Sequence, residues 1–290
     1  MYADLHCDTF YKCFTESLDF SSERLHINSE NIKGIRPYIQ TFAHYIPENV
    51  PNKFEFFQRM LENTFSILEK SDDFIIYKNS SDFEKAENEK KILVVLSVEG
   101  GSFFEKDALD RISFLEKNHV RFISLCYNNG SDLCSGALSK YDTGFSRHGI
   151  EIAYKLCERG IKTDLSHLSA KSAWDAVLAD LDCIATHSNC KAICNHPRNL
   201  EDRTIEKLIE NKSLIGLNLY RPFVGNSIAN HINHILSLGG TDSLALGCDF
   251  DGCDEFSDGV LSLSDIPGLL SRMSPRKNVW YDNVKKYFLK

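Results

Sequence analysis

The run Ile92-Leu93-Val94-Val95-Leu96-Ser97-Val98 stops on a carboxylate, Glu99, and is followed at once by Gly100-Gly101. An apolar strand that ends this way delivers an acidic side chain to backbone flexible enough to approach a ligand. Working outward, seven more runs rich in β-branched or apolar residues stand at 2–6, 35–42, 120–126, 161–165, 183–186, 214–219 and 244–248. Between them, apolar residues recur at three and four over 54–70, 108–118, 147–159, 170–179 and 228–238, the period of helices that bury one face. Gly160 closes one such helix just before a strand, and Ser169 stands as an N-cap just after another. Eight strands alternating with helices predict an α/β protein built as a (β/α)8, TIM-like barrel. The run at 35–42 is the exception, since its residues could equally continue a helix. Segments 128–144 and 249–263 are turn-rich and read as loops.

The chain has 290 residues, 42% of them hydrophobic and 26% charged, enough for one large core. Barrels of this length fold as one unit, so residues 1–290 are expected to form a single domain. The formal charge of −8 comes without a Lys/Arg block, which speaks against nucleic acid as a partner. No apolar stretch approaches the roughly 18 residues of a membrane span, and the chain opens on Met1-Tyr2-Ala3-Asp4. A cytoplasmic protein with no membrane partner is expected, and its ten cysteines are expected to be reduced thiols. Cys190 and Cys194, like Cys248 and Cys253, are spaced too widely for zinc knuckles.

Protonatable or metal-binding side chains fall at the C-terminal ends of the predicted strands: His6, Asp8, Glu99, His167, His187 and Asp249. In a (β/α)8 barrel those ends share one face, so residues remote in sequence converge there. His6 and Asp8, two apart on a continuing strand, would project to one side and chelate an ion; a hydrogen-bonded core pair is the plainer reading. For Glu99 the alternatives are a salt bridge to Arg121 or two oxygens shared by two cations. His167 and His187 end successive strands and can bind zinc when neutral, with Asp164 as a nearby acceptor. Asp249 suits a general acid or base, whereas Asp251 reads as a turn cap.

These residues resemble those of the membrane, or renal, dipeptidases, binuclear zinc peptidases on a distorted (β/α)8 barrel. The resemblance spans nearly the whole chain. It rests on Asp4-Leu5-His6-Cys7-Asp8-Thr9, Val98-Glu99-Gly100-Gly101, Asp164-Leu165-Ser166-His167, His187-Ser188-Asn189, Asn195-His196-Pro197-Arg198-Asn199-Leu200 and Gly247-Cys248-Asp249-Phe250-Asp251-Gly252. It implies a soluble, bacterial-type metallodipeptidase that acts on small dipeptides. His6 and Asp8 would hold one zinc and His167 and His187 the other, with Glu99 as the bridge and Asp249 as acid/base. Arg198, otherwise a surface residue, would take the substrate carboxylate through a bidentate contact, with Tyr220 beside it. Tyr127 departs from the mammalian members, which carry a histidine there. A phenol can donate a hydrogen bond but carries no positive charge at neutral pH.

The resemblance implies hydrolysis of the dipeptide amide by a hydroxide bridging two zinc ions about 3.5–4 Å apart. Asp8, Glu99, Asp249 and the hydroxide would balance the two ions. Manganese or cobalt would suit the same ligands. The alternatives are another binuclear metal amidohydrolase, of lactamase or deaminase type, and a metal-binding protein without turnover. The oligomeric state is left open, a homodimer being one option.

Overall fold

A computed structural model describes residues 2–35, 38–104, 107–273 and 279–289. Among the described residues nine strands run in chain order: β1 Tyr2–Cys7, β2 Tyr38–Tyr45, β3 Phe74–Ile76, β4 Ile92–Glu99, β5 Val120–Ile123, β6 Lys162–Asp164, β7 Cys183–Ile184, β8 Ile215–Leu217 and β9 Leu244–Leu246. All pairings between them are parallel, in the order β7-β6-β5-β4-β2-β1-β9-β8. Closure comes just past β7, where Ala185 bridges to Ile215 and accepts from Gly216 N at 2.8 Å. Eight parallel strands therefore complete the expected barrel.

Two glycines permit that closure. A Cβ at Gly216 would lie 2.0 Å from the backbone oxygen of Thr186, and one at Gly247 only 1.8 Å from the same atom. Only a hydrogen fits at either place.

The second strand begins at Tyr38, later than the expected 35–42, and extends to Tyr45. Residues 36 and 37 of that expected run lie outside the described residues. The observed bounds follow from pairing: Tyr38 to Tyr45 match Ile92 to Glu99 one for one. The ninth strand, β3, was not anticipated. It pairs with Ile92, Leu93 and Val94, while β5 pairs with Leu96, Ser97 and Val98 further along β4.

The expected helices appear as Lys53–Leu68, Ala108–Lys117, Arg147–Cys157, Ala170–Leu178 and Ile228–Ser237. The Ser169 side chain caps its helix by accepting from Ser172 N, and Gly160 takes a φ of +69°. Ala3, Leu5, Ile39, Leu93, Val95, Phe122, Ile184 and Ala245 cluster with Tyr281, Val284 and Tyr287 of the C-terminal helix Val279–Phe288. Their strand neighbours Tyr2, Phe42, Val94, Leu96 and Ile123 belong to the larger cluster with the surrounding helices. Apolar packing thus closes the barrel around the N-terminal strand ends and leaves the opposite mouth to polar groups. All ten cysteines are free thiols. Among the described residues no helix is long and apolar enough to cross a membrane.

Candidate active site

Strands β1, β4, β6, β7 and β9 deliver polar residues to the C-terminal mouth. Glu99 is the last residue of β4, and His6 is the penultimate residue of β1. Asp8 is not on a continuing strand as expected: β1 ends at Cys7, and Asp8 stands at the N-cap of the helix Thr9–Glu16. The pair still meets, with His6 Nε2 3.2 Å from Asp8 Oδ2. His167 and Asp249 follow β6 and β9 with φ of +70° and +66°. Left-handed backbone at non-glycine residues is strain, and such strain gathers where a side chain must be aimed.

The donor atoms converge. Glu99 turns Oε2 to His6 Nε2 at 3.6 Å and Oε1 to His187 Nε2 at 3.8 Å, and Oε1 also touches His167 Nε2. Asp249 Oδ1 is 3.7 Å from His6 Nε2, while its Oδ2 accepts from Asn218 Nδ2 at 2.9 Å. His6, Asp8, Glu99, His167 and His187 are each at most 5% exposed. The alternative pairing of Glu99 with Arg121 does not form: the Arg121 guanidinium lies over Tyr77 and donates to Lys78 O. Asp251 is a structural clamp, accepting from Thr9 Oγ1 at 2.6 Å and from His26 N at 2.9 Å.

Whether this set suits a cation is decided by its hydrogen bonds. His167 Nδ1 faces Asn128 Oδ1 at 2.8 Å, an acceptor, so that nitrogen carries the proton and Nε2 keeps a lone pair. His187 Nε2 lies 2.8 Å from His167 Nε2, with Glu99 Oε1 facing both, and Asp8 Oδ1 is buried without a partner. Acceptors that face one another in a dry site are held together by a cation. Electrostatics agree. Burial opposes charge on His6, yet Asp8, Glu99 and Asp249 outweigh it and push its pKa up to about 10. Burial raises Asp8 and Glu99 to about 7, with Glu99 and Asp249 respectively adding to the rise. Burial holds His167 and His187 neutral, helped by Arg198 and His6. Neutral imidazoles and crowded carboxylates are ligands suited to a divalent ion.

Over these groups lies a cavity of about 590 Å³. Tyr11, Tyr45, Tyr127 and His167 follow one another along its wall, with ring centroids 5.1, 4.6 and 4.4 Å apart. Elsewhere on the wall, Arg198 lies over the ring of Phe223 at 5.3 Å, and Tyr220 meets Phe223 edge-on at 4.8 Å. Arg198 is no surface residue: it is 4% exposed, donates to His167 Nε2 at 3.1 Å and leaves its Nε unpartnered. Burial and then Glu99 keep the Tyr127 phenol neutral.

The sequence model of the membrane dipeptidase family (Peptidase family M19) matches residues 1–289. The chain belongs to that family. An uncharacterized dipeptidase of Schizosaccharomyces pombe is 28% identical over 215 residues, 68% of this chain and 51% of the relative. The chain therefore spans about half the length of that relative. An uncharacterized protein from the pqqA 5′ region of Klebsiella pneumoniae is 28% identical over 224 residues, 71% of this chain and 81% of its own. Among solved structures, a metallopeptidase from Rhodobacter sphaeroides carries a phosphinate mimic of the dipeptide L-Ala-D-Ala. It shares the fold, with a TM-score of 0.88 over 99% of this chain and 98% of that one at 17% identity.

In this M19 chain several residues that shape the site escaped sequence reasoning. Asn128, Thr186 and Asn218 each touch a candidate ligand or the candidate acid/base through a side chain, and none stands out by type or spacing. Adjacency was the available signal: Asn128 follows Tyr127, and Thr186 precedes His187. Gly252 is the fourth. A Cβ there would lie 2.3 Å from Asp8 Oδ2 and 2.5 Å from Asp249 Oδ1, so the carboxylates need that space.

Proposed function

We propose that this M19 member is a zinc-dependent dipeptidase and that residues 1–290 act as one hydrolase barrel domain. The observation that carries the reading is one cavity lined by Asp8, Glu99, His167 and the buried, incompletely paired Arg198, with His6 and His187 Nε2 within 3.8 Å of Glu99. His6 and Asp8 would hold one zinc, His167 and His187 the other, and Glu99 would span both through its opposed oxygens. When bound, the two zinc ions supply Lewis acidity, polarising the scissile carbonyl and lowering the pKa of a water.

The chain's own groups do the rest. Asn218 fixes one oxygen of Asp249, so the other is aimed at the reacting centre and can take a proton and return it to the leaving amine. Arg198 anchors the substrate carboxylate with its planar fork. Tyr220 stands beside that anchor, and the Tyr127 hydroxyl donates to the developing oxyanion. Burial of Arg198 in a confined cavity favours a short substrate with a free C-terminus, as does the dipeptide mimic bound by the Rhodobacter relative.

The test is release of amino acids from a dipeptide panel by purified protein, before chelation, after it, and with zinc restored. Cleavage that is lost with chelator and regained with zinc supports the reading. Absence of cleavage by protein verified to hold two metals favours a different amide substrate or a binding role.

A further inference from the structure

We propose that Thr186 is a positioning residue that couples Asp164 to His187 and commits His187 to offer Nε2 to the metal. The proposal rests on the metal-centre reading above. The sequence placed Asp164 as a nearby acceptor; the structure routes its contact with His187 through a hydroxyl. Thr186 Oγ1 lies 2.5 Å from Asp164 Oδ2 and 2.9 Å from His187 Nδ1. Asp164 Oδ1 meanwhile accepts from Ser166 N and Thr186 N, each at 3.0 Å, so this carboxylate is an acceptor on both oxygens.

A hydroxyl has one proton. Given to Asp164, it leaves Oγ1 only lone pairs for His187, so the hydrogen between them sits on Nδ1 of the imidazole. A neutral imidazole has one N–H, and the remaining lone pair is then on Nε2, which points to Glu99 and His167. The carboxylate behind the hydroxyl makes that nitrogen more basic.

The relay is held on every side. His187 N donates to Ser166 Oγ at 3.0 Å, and the backbone of Thr186 is enclosed by Gly216 and Gly247, whose hydrogens alone leave it room. All four side chains, Asp164, Ser166, Thr186 and His187, are buried. His167 is backed differently, by the neutral carboxamide of Asn128 beside the cavity. The two histidines therefore differ in what enforces their tautomer, and His187 carries the charge-backed support.

The test is zinc affinity by chelator competition for the parent, Thr186→Ser and Thr186→Val. Thr186→Ser retains the hydroxyl and is expected within about threefold of the parent, while Thr186→Val is expected to weaken binding roughly 10- to 100-fold. Equal affinity in Thr186→Val and parent overturns the relay. A parent that binds no zinc overturns the metal-centre reading instead, so the two failures are distinct. Should Thr186→Val fail to fold, ¹⁵N resonances of the zinc-loaded parent decide: a protonated Nδ1 and metallated Nε2 on His187 support the relay, and metal on Nδ1 overturns it.

Discussion

Arg198 donates to His167 through the lone pair on Nε2, 3.1 Å from its guanidinium, the same lone pair a metal would take. Metal binding at His167 would therefore release the Arg198 fork toward the cavity. With Nε already unpartnered, the guanidinium would then present a planar edge to a substrate carboxylate.

Arg198→Ala is expected to raise KM for dipeptides roughly ten- to a hundredfold, the worth of a charged hydrogen bond, with kcat changed far less. C-terminally amidated dipeptides should show little change. Steady-state kinetics on both substrate types check this, and an equal loss on both would remove Arg198 from the carboxylate role. It would favour the broader amidohydrolase alternative.

His187→Ala removes one imidazole from the set around Glu99. It should lose one equivalent of metal and most activity, while the fold persists because the closing bridge runs through the backbone of Ala185 and Ile215. Elemental analysis with circular dichroism reads both. Wild-type turnover at full metal content would sink the assignment.

Gly252→Ala tests whether the space between carboxylates matters. A Cβ at 2.3 Å from Asp8 Oδ2 must displace the side chain or the loop. The expected result is a fall of roughly tenfold or more in kcat/KM with weaker metal retention and a Tm close to the parent, since the change sits in an exposed turn. An unaltered metal affinity would show that the loop moves freely instead.

His44 gives a prediction for stability alone. It is fully buried, bonded to Ser97 O at 2.9 Å and Thr64 Oγ1 at 3.0 Å, and burial lowers its pKa to about 4. An unfolded chain protonates this histidine near 6.5. Between those values the unfolded state binds the proton and the folded state does not, so stability is full above about 6.5 and falls as pH drops toward 4. The loss is on the order of 3 kcal/mol over the window. Urea unfolding at pH 7 and pH 5 should show a smaller pH dependence in His44→Gln than in the parent. Equal dependence would place the titration elsewhere.

Much of the barrel was legible because its signals are local. The uninterrupted run at 92–98 is a strand in any context, and Ser169 and Gly160 mark helix ends through their own backbone chemistry. Phe74–Ile76 carried no such signal: three residues become a strand only because Ile92, Leu93 and Val94 offer an edge. The start of β2 moved for the same reason, since pairing with β4 sets its register.

At the site, the sequence by itself determined which residue types stand at the strand ends, and the βα alternation then required them to share one face. Tertiary structure decided everything that depends on a contact between elements. It buried Arg198 over Phe223, placed Asp8 on a helix N-cap yet beside His6, and put Thr186 between Asp164 and His187. The division has a physical cause. Periodicity and capping act over a few neighbouring residues and leave a pattern in the chain, whereas a hydrogen-bond partner 22 residues away leaves none until the barrel closes.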